Sequence, residues 1–278
     1  MTTVQKVIKY LAIAFAVFLI VTIIGGILSA AGLLGGLFLD DDWSDVIGET
    51  KVCTVTDEIS ELNIQINAAD FYIKEGDRLS VESNLKNLEM DENNGRLTLK
   101  ELTKIKLNGS CAYGNAMLIL YVPAGTVFDH VNIKTGAGRF TVDNLSAQTI
   151  DFKLGAGEVT IGSLTAEKSA GIEGGAGQMT VSYGAIKNLN LGMGVGQLNL
   201  TAVLTGDCSM DSGVGEMNVT LLGDKVDYTV DIRKGLGNIS VDGDRISGND
   251  NMGKGINKVE IRGGIGAINV KFKDIGES

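Results

Sequence analysis

The chain has 278 residues, of which 38 are Gly and only one is Pro (Pro123), and its formal net charge is −10. Abundant Gly without Pro excludes collagen, which needs both in strict period, and a hydrophobic content of 44% excludes a flexible Gly-rich linker. The acidic balance argues against nucleic acid as a partner, because phosphate backbones repel it.

In chain order the first element is an uncharged stretch from Tyr10 to Leu39. A helix of about 20 residues already crosses a bilayer core. Lys6 and Lys9 precede the stretch, and Asp40, Asp41, Asp42 and Asp45 follow it. Positive charge on the cytoplasmic side places the N-terminus inside and the remainder outside the cell. Residues 1–9 read as a cytoplasmic tail, 10–32 as a transmembrane helix and 33–50 as a Gly-rich, acidic neck. Ser29-Ala30-Ala31 would suit a signal-peptide cleavage site, but the apolar run before it exceeds the ~7–15 residues of a signal core. Gly32 and Gly36 have the spacing of a close helix–helix contact, but the Gly-rich stretch beyond residue 32 reads as a loose neck.

Residues 51–122 read as a degenerate first rung and a β-hairpin cap. Leu62-x-Ile64, Asn67-Ala68-Ala69 and Phe71-x-Ile73 form the degenerate copy. Short alternating runs follow at Leu79–Val81, Leu97–Leu99, Ile105–Leu107 and Met117–Val122, with Asn93-Asn94-Gly95 as a hairpin turn. They predict an antiparallel insertion that protects the open edge of the first rungs.

Residues 123–278 carry a repeat. Gly-x-Gly recurs with first glycines at 136, 155, 175, 194, 213, 235 and 264. Apolar residues or Cys occupy the positions five and three before each first Gly, and four and six after it. The first of these columns reads Val131, Ile150, Ala170, Leu189, Cys208, Val230 and Val259. The last reads Val142, Ile161, Val181, Leu200, Val219, Val241 and Val270. Alternation of period 2 on both sides of the glycines predicts two half-buried strands per unit. A unit of ~20 residues is too small to be stable alone and must stack on its neighbours. The fold class is therefore all-β: a parallel β-solenoid of about 20-residue Gly-x-Gly rungs, an antiparallel N-terminal cap and one transmembrane helix.

Two finer expectations follow. Asn67 and Ala69 replace the glycines in the degenerate copy, and Asn tolerates positive φ; the first Gly should thus need positive φ and the second only a small side chain. The residue between the glycines grows from Ala137 to Leu236 and Ile265, which suggests an interior that widens toward the C-terminus. Residues 243–256 read as a polar loop, and the terminal KDIGES offers little to cap the stack.

YVPAG at 121–125, the GAG-polar-apolar-T-apolar units and DYTVDIRKGLGNI at 227–239 resemble the bacterial "putative adhesin" β-strand-repeat family of unknown function, over about residues 50–272. The resemblance implies a membrane-anchored protein of Gram-positive bacteria, with some members tied to Lia-type envelope stress responses. It carries no catalytic residues.

The remaining motifs give little chemistry. Gly-x-Gly lacks the third glycine and following helix of a dinucleotide site. Met179 stands where a calcium-binding β-roll would have Asp, and Asp242-Gly243-Asp244 with Asn249-Asp250 reads as a solvated acidic loop. His130 has no nucleophile at recognisable spacing, and Cys208 lies in a core column, so an inert thiol is expected. Cys53 and Cys111 would be free thiols, or a pair in an oxidising compartment. Glu158 and Glu216 fall three rungs apart, about 14 Å at ~4.8 Å per rung, whereas glycosidase carboxylates sit within about 10 Å. No catalytic residue, cofactor or metal site is predicted. Thr141, Thr160, Thr180, Asn199, Asn218, Ser240 and Asn269 form an outward polar ladder that serves either to stabilise the stack or to recognise a glycan or protein. The expected function is non-enzymatic binding or scaffolding at the bacterial cell envelope, with a cell-wall glycan or envelope protein as partner. The alternatives are a carbohydrate-active enzyme on the same scaffold and a cytoplasmic regulatory module of inverted topology.

Overall fold

The computed structural model describes residues 47–102, 115–248 and 250–275. The transmembrane segment, the run Ile105–Leu107, Cys111 and Asn249 lie outside the described residues, and with them the expectations that concern them. None of the described helices is long and apolar enough to cross a membrane.

The described residues are almost entirely β. In chain order the strands are β1 (Ile47–Thr54), β2 (Glu61–Ala68), β3 (Asp70–Gly76), β4 (Ser80–Leu85), β5 (Leu88–Asn93), β6 (Arg96–Glu101) and β7 (Met117–Pro123). Then come β8 (Val127–Lys187), β9 (Leu189–Thr205), β10 (Asp207–Leu222), β11 (Tyr228–Val241), β12 (Asp244–Ile246), β13 (Asp250–Gly253) and β14 (Asn257–Lys273). One 3-10 turn, Lys225–Asp227, interrupts them. β8 runs through three Gly-x-Gly corners without a break in pairing. From β2 and β3 through β8, β9, β10, β14 and β11 the neighbours are parallel, and like column meets like column. The result is an all-β, largely parallel stack, consistent with the expected solenoid.

Every position of the four predicted apolar columns is buried. Leu191, for example, lies between Ile172 and Met210, and Met217 lies between Leu198 and Ile268. Phe71 and Phe140 stack with ring centroids 5.0 Å apart, and Phe152 meets Phe140 edge-on at 5.6 Å. Rungs of β8 and β9 also have a third inward stretch. Leu145 and Ala147, Leu164 and Ala166, and Ala202 and Leu204 are buried as well. Two strands per unit was therefore one wall short: the third pair is small and its register shifts between Val181 and Ala185, which blurs the column.

The stack does not follow chain order at its C-terminal end. β14 lies between β10 and β11. Its Val259 pairs with Cys208 on one side and with Val230 on the other. Residues 243–256 are not a simple loop, because β12 and β13 pair antiparallel with the outer edge of β11 and cover it. At the other end, β1 with β4, β4 with β7 and β5 with β6 pair antiparallel as expected, but β6 and β7 each have a second, parallel neighbour. They pair in parallel with β2 and β3 and so continue the stack outward. The Asn94-Gly95 turn joins β5 to β6 with positive φ at both residues, as its sequence demands.

Candidate functional site

The glycine corners set the surface of the stack. Positive φ falls on the second glycine of each pair, from 129° at Gly138 to 153° at Gly237, and not on the first. A Cβ on either glycine would run into a backbone carbonyl oxygen of the neighbouring rung, that of Asn67 or Ala69 at the first pair and that of the matching glycine at the others. Both positions thus need Gly for close approach, and the second also for its backbone. This reverses the expectation drawn from Asn67: neither Asn67 nor Ala69 has positive φ, because β2 ends and β3 restarts around that corner. The residue between the glycines does not widen the interior either. Val195, Leu236 and Ile265 are exposed to 48%, 46% and 37%, so the series lines the outside of the corner.

The degenerate corner is closed by a residue that the sequence did not single out. Glu101 is buried, and its Oε2 accepts from the backbone N–H of Asn67 at 2.7 Å and of Ala68 at 3.2 Å. Asn67 Nδ2 returns a bond to the Glu101 carbonyl at 3.2 Å. The carboxylate stands where another rung would supply carbonyls. The only signal was an acidic residue at the end of the alternating run around Leu97 and Leu99.

The predicted polar ladder is hydrogen-bonded from Thr180 to Ser240. Ser240 Oγ donates to Asn269 Oδ1 at 2.7 Å, Asn269 Nδ2 to Asn218 Oδ1 at 2.8 Å and Asn218 Nδ2 to Asn199 Oδ1 at 2.9 Å. Asn199 Nδ2 completes the run to Thr180 Oγ1 at 3.4 Å. Each amide uses its donor on one neighbour and its acceptor on the other, so the ladder spends much of its hydrogen-bonding capacity on itself. Beside it, Glu216 accepts from Asn269 at 2.9 Å, and Glu158 pairs with Arg139 at 3.5 Å. These two carboxylates are three rungs apart by register and engage different partners.

The outer side of the other wall carries ion pairs in place of amides. Arg262 bridges Glu260 at 2.7 Å and Asp211 at 3.6 Å, and Arg233 bridges Asp231 at 2.7 Å and Glu260 at 3.6 Å. The Arg233 hydrogen bond holds the Asp231 carboxyl below its ordinary range. A depression of about 410 Å³ lies here, lined by Asp207, Ser209, Asp231, Arg233, Asn251, Lys258 and Glu260. Its charges pair across it, Lys258 with Asp207 at 3.4 Å. The crevice along the glycine corners holds only about 20 Å³, against several hundred for a small-molecule site.

The other candidates are separate. His130 lies 3.7 Å from Asp151 on the surface. Cys208 is buried, and burial pushes its thiol up, away from the reactive thiolate. Asp242 is engaged by Lys225 at 2.7 Å and by the Phe272 N–H at 2.9 Å, while Asp244 and Asp250 sit on different strands. Among the described residues no three His, Cys, Asp or Glu side chains converge as a metal site would need. Cys53 is exposed on β1.

Residues 59–252 match the Toastrack DUF4097 family. The chain belongs to this family. Among curated proteins none matches it. Solved structures similar to this toastrack chain include a "putative cell adhesion protein" from Clostridium sporogenes, at 16% identity and TM-score 0.38, covering 81% of this chain and 99% of that one. A "putative adhesin" from Bacteroides fragilis has 14% identity and TM-score 0.36, covering 80% and 96%. A "Putative lipid binding protein" from Parabacteroides distasonis has 14% identity and TM-score 0.38, with the same coverage. The matched range takes in β2 to β12 and ends within β13, before β14.

Proposed function

We propose that this toastrack protein is a non-enzymatic, single-pass membrane protein that presents its acidic β-stack outside the cytoplasm, for binding or scaffolding at the bacterial cell envelope. The observation that carries the reading is the uncharged stretch Tyr10–Leu39, with Lys6 and Lys9 before it and Asp40, Asp41 and Asp42 after it. The stack supports the binding part. Its outer polar groups are tied to one another from rung to rung, which favours a flat, regular contact face over a reaction centre. A partner, cell-wall glycan or envelope protein, would lie along the rungs, touching the Thr and Asn ladder or the ion-pair wall.

Reporter fusions at residues 9 and 278 test the topology. An enzyme reporter active only in the cytoplasm should work at residue 9 and fail at residue 278. Activity at residue 278 would sink the surface reading. Pull-down with residues 45–278 against wall glycan and membrane extract tests the binding role, and no retained partner at micromolar protein counts against it.

A further inference from the structure

β14 fills a slot whose two walls, β10 and β11, both precede it in the chain. After β11 the chain runs along that strand's outer edge as β12 and β13, and only then returns to the inner side as β14. The connection, residues 242–256, is fifteen residues long. Extended, such a segment reaches about 50 Å, roughly ten times the ~4.8 Å step between neighbouring strands. The connection therefore does not by its length confine β14 to its own slot.

What the slot accepts is narrow. A Cβ at Gly264 would run into the Gly213 carbonyl, and one at Gly266 into the Gly215 carbonyl. The occupant must also place apolar residues opposite Cys208, Met210, Met217 and Val219. It needs an amide at the position of Asn269 to bridge Asn218 and Ser240. A segment of unrelated sequence drives side chains into backbone carbonyls. A β14 from another copy meets every requirement.

The vacated slot also has a way to close. β10 and β11 carry the same columns as β14, so they can pair with each other when it leaves. Departure then costs two strand interfaces and regains one.

We propose that β14 is an exchangeable closing strand, and that it exchanges with a second copy of this chain: β14 of one molecule fills the β10–β11 slot of the other. Both of its edges stay paired in the same register, so the exchange adds no new interface to be evolved, which is why strand swapping is a low-cost route to dimers.

The test uses two full-length copies with different tags, co-expressed, both with Cys53→Ser and Cys111→Ser. One carries Glu216→Cys and the other Ala267→Cys, positions that face each other across β10 and β14. A short bis-maleimide then links them. Because neighbouring thiols react at a high effective concentration, the doubly tagged product should exceed that of a Glu216→Cys and Lys100→Cys pair by about tenfold or more. A single chain with both Glu216→Cys and Ala267→Cys reports correct folding through its internal link. A second facing pair, Thr220→Cys with Lys271→Cys, is read in the same way. Internal links in the double variant, with both mixed pairs at the control level, would overturn the proposal.

Discussion

A methyl group on Gly215 would collide with the Gly196 carbonyl, and its φ of 142° is a region closed to other residues. Gly192, one rung back, has neither a close neighbour nor positive φ. Gly215→Ala should therefore destabilise the stack by about 3 kcal/mol, whereas Gly192→Ala should be neutral or stabilising by about 0.5 kcal/mol. Urea unfolding of the two variants separates them. At the same scale, Asp231 is held low by the Arg233 hydrogen bond. Burial pushes Asp242 up, but Lys225 and the Phe272 N–H outweigh it and leave it lowered. A carboxyl lowered on folding stabilises the protein above its unfolded value near 3.9, and that stability is lost as pH falls through the lower folded value. Stability should fall from pH 7 to pH 3, with a shallower slope in Asp231→Asn with Asp242→Asn; both aspartates are partly exposed, so the change is modest.

At the scale of elements, the columns after residue 123 were legible because each inward side chain alternates with a polar one. The cap was less so. Glu101 terminates the corner stack by accepting two backbone N–H groups, yet a glutamate after Leu97 and Leu99 looks like any exposed residue of a strand. Its role depends on Asn67 and Ala68, more than thirty residues earlier, coming within bonding distance. Glu101→Ala should cost about 1–3 kcal/mol, the penalty of leaving buried donors unpaired. Glu101→Gln, which keeps an acceptor, should cost less. Thermal unfolding of both variants checks the order. The third inward stretch was hidden for a different reason: Ala147, Ala166 and Ala202 are too small to stand out as a periodic signal.

For the whole molecule, stability is shared between neighbours along the stack, so it should be uneven. β1 is an edge strand with mostly exposed residues, while β9 is enclosed by β8 and β10. Amide hydrogen exchange should strip protection from β1, β12 and β13 first and from β8 to β10 last. Uniform protection across these strands would contradict a stack closed at each end by separate short strands.

The unit, its inward columns and the requirement to stack were determined by the amino-acid sequence alone, because they depend on period-2 alternation and on glycines a fixed distance from it. The tertiary structure decided which rung lies beside which, which glycine takes positive φ and what covers the ends. Cys208, Val230 and Val259 are interchangeable as column members, so local pattern cannot rank them as neighbours. Only the three-dimensional fit, with Asn269 bonded to Asn218 on one side and Ser240 on the other, places the last strand inside the stack.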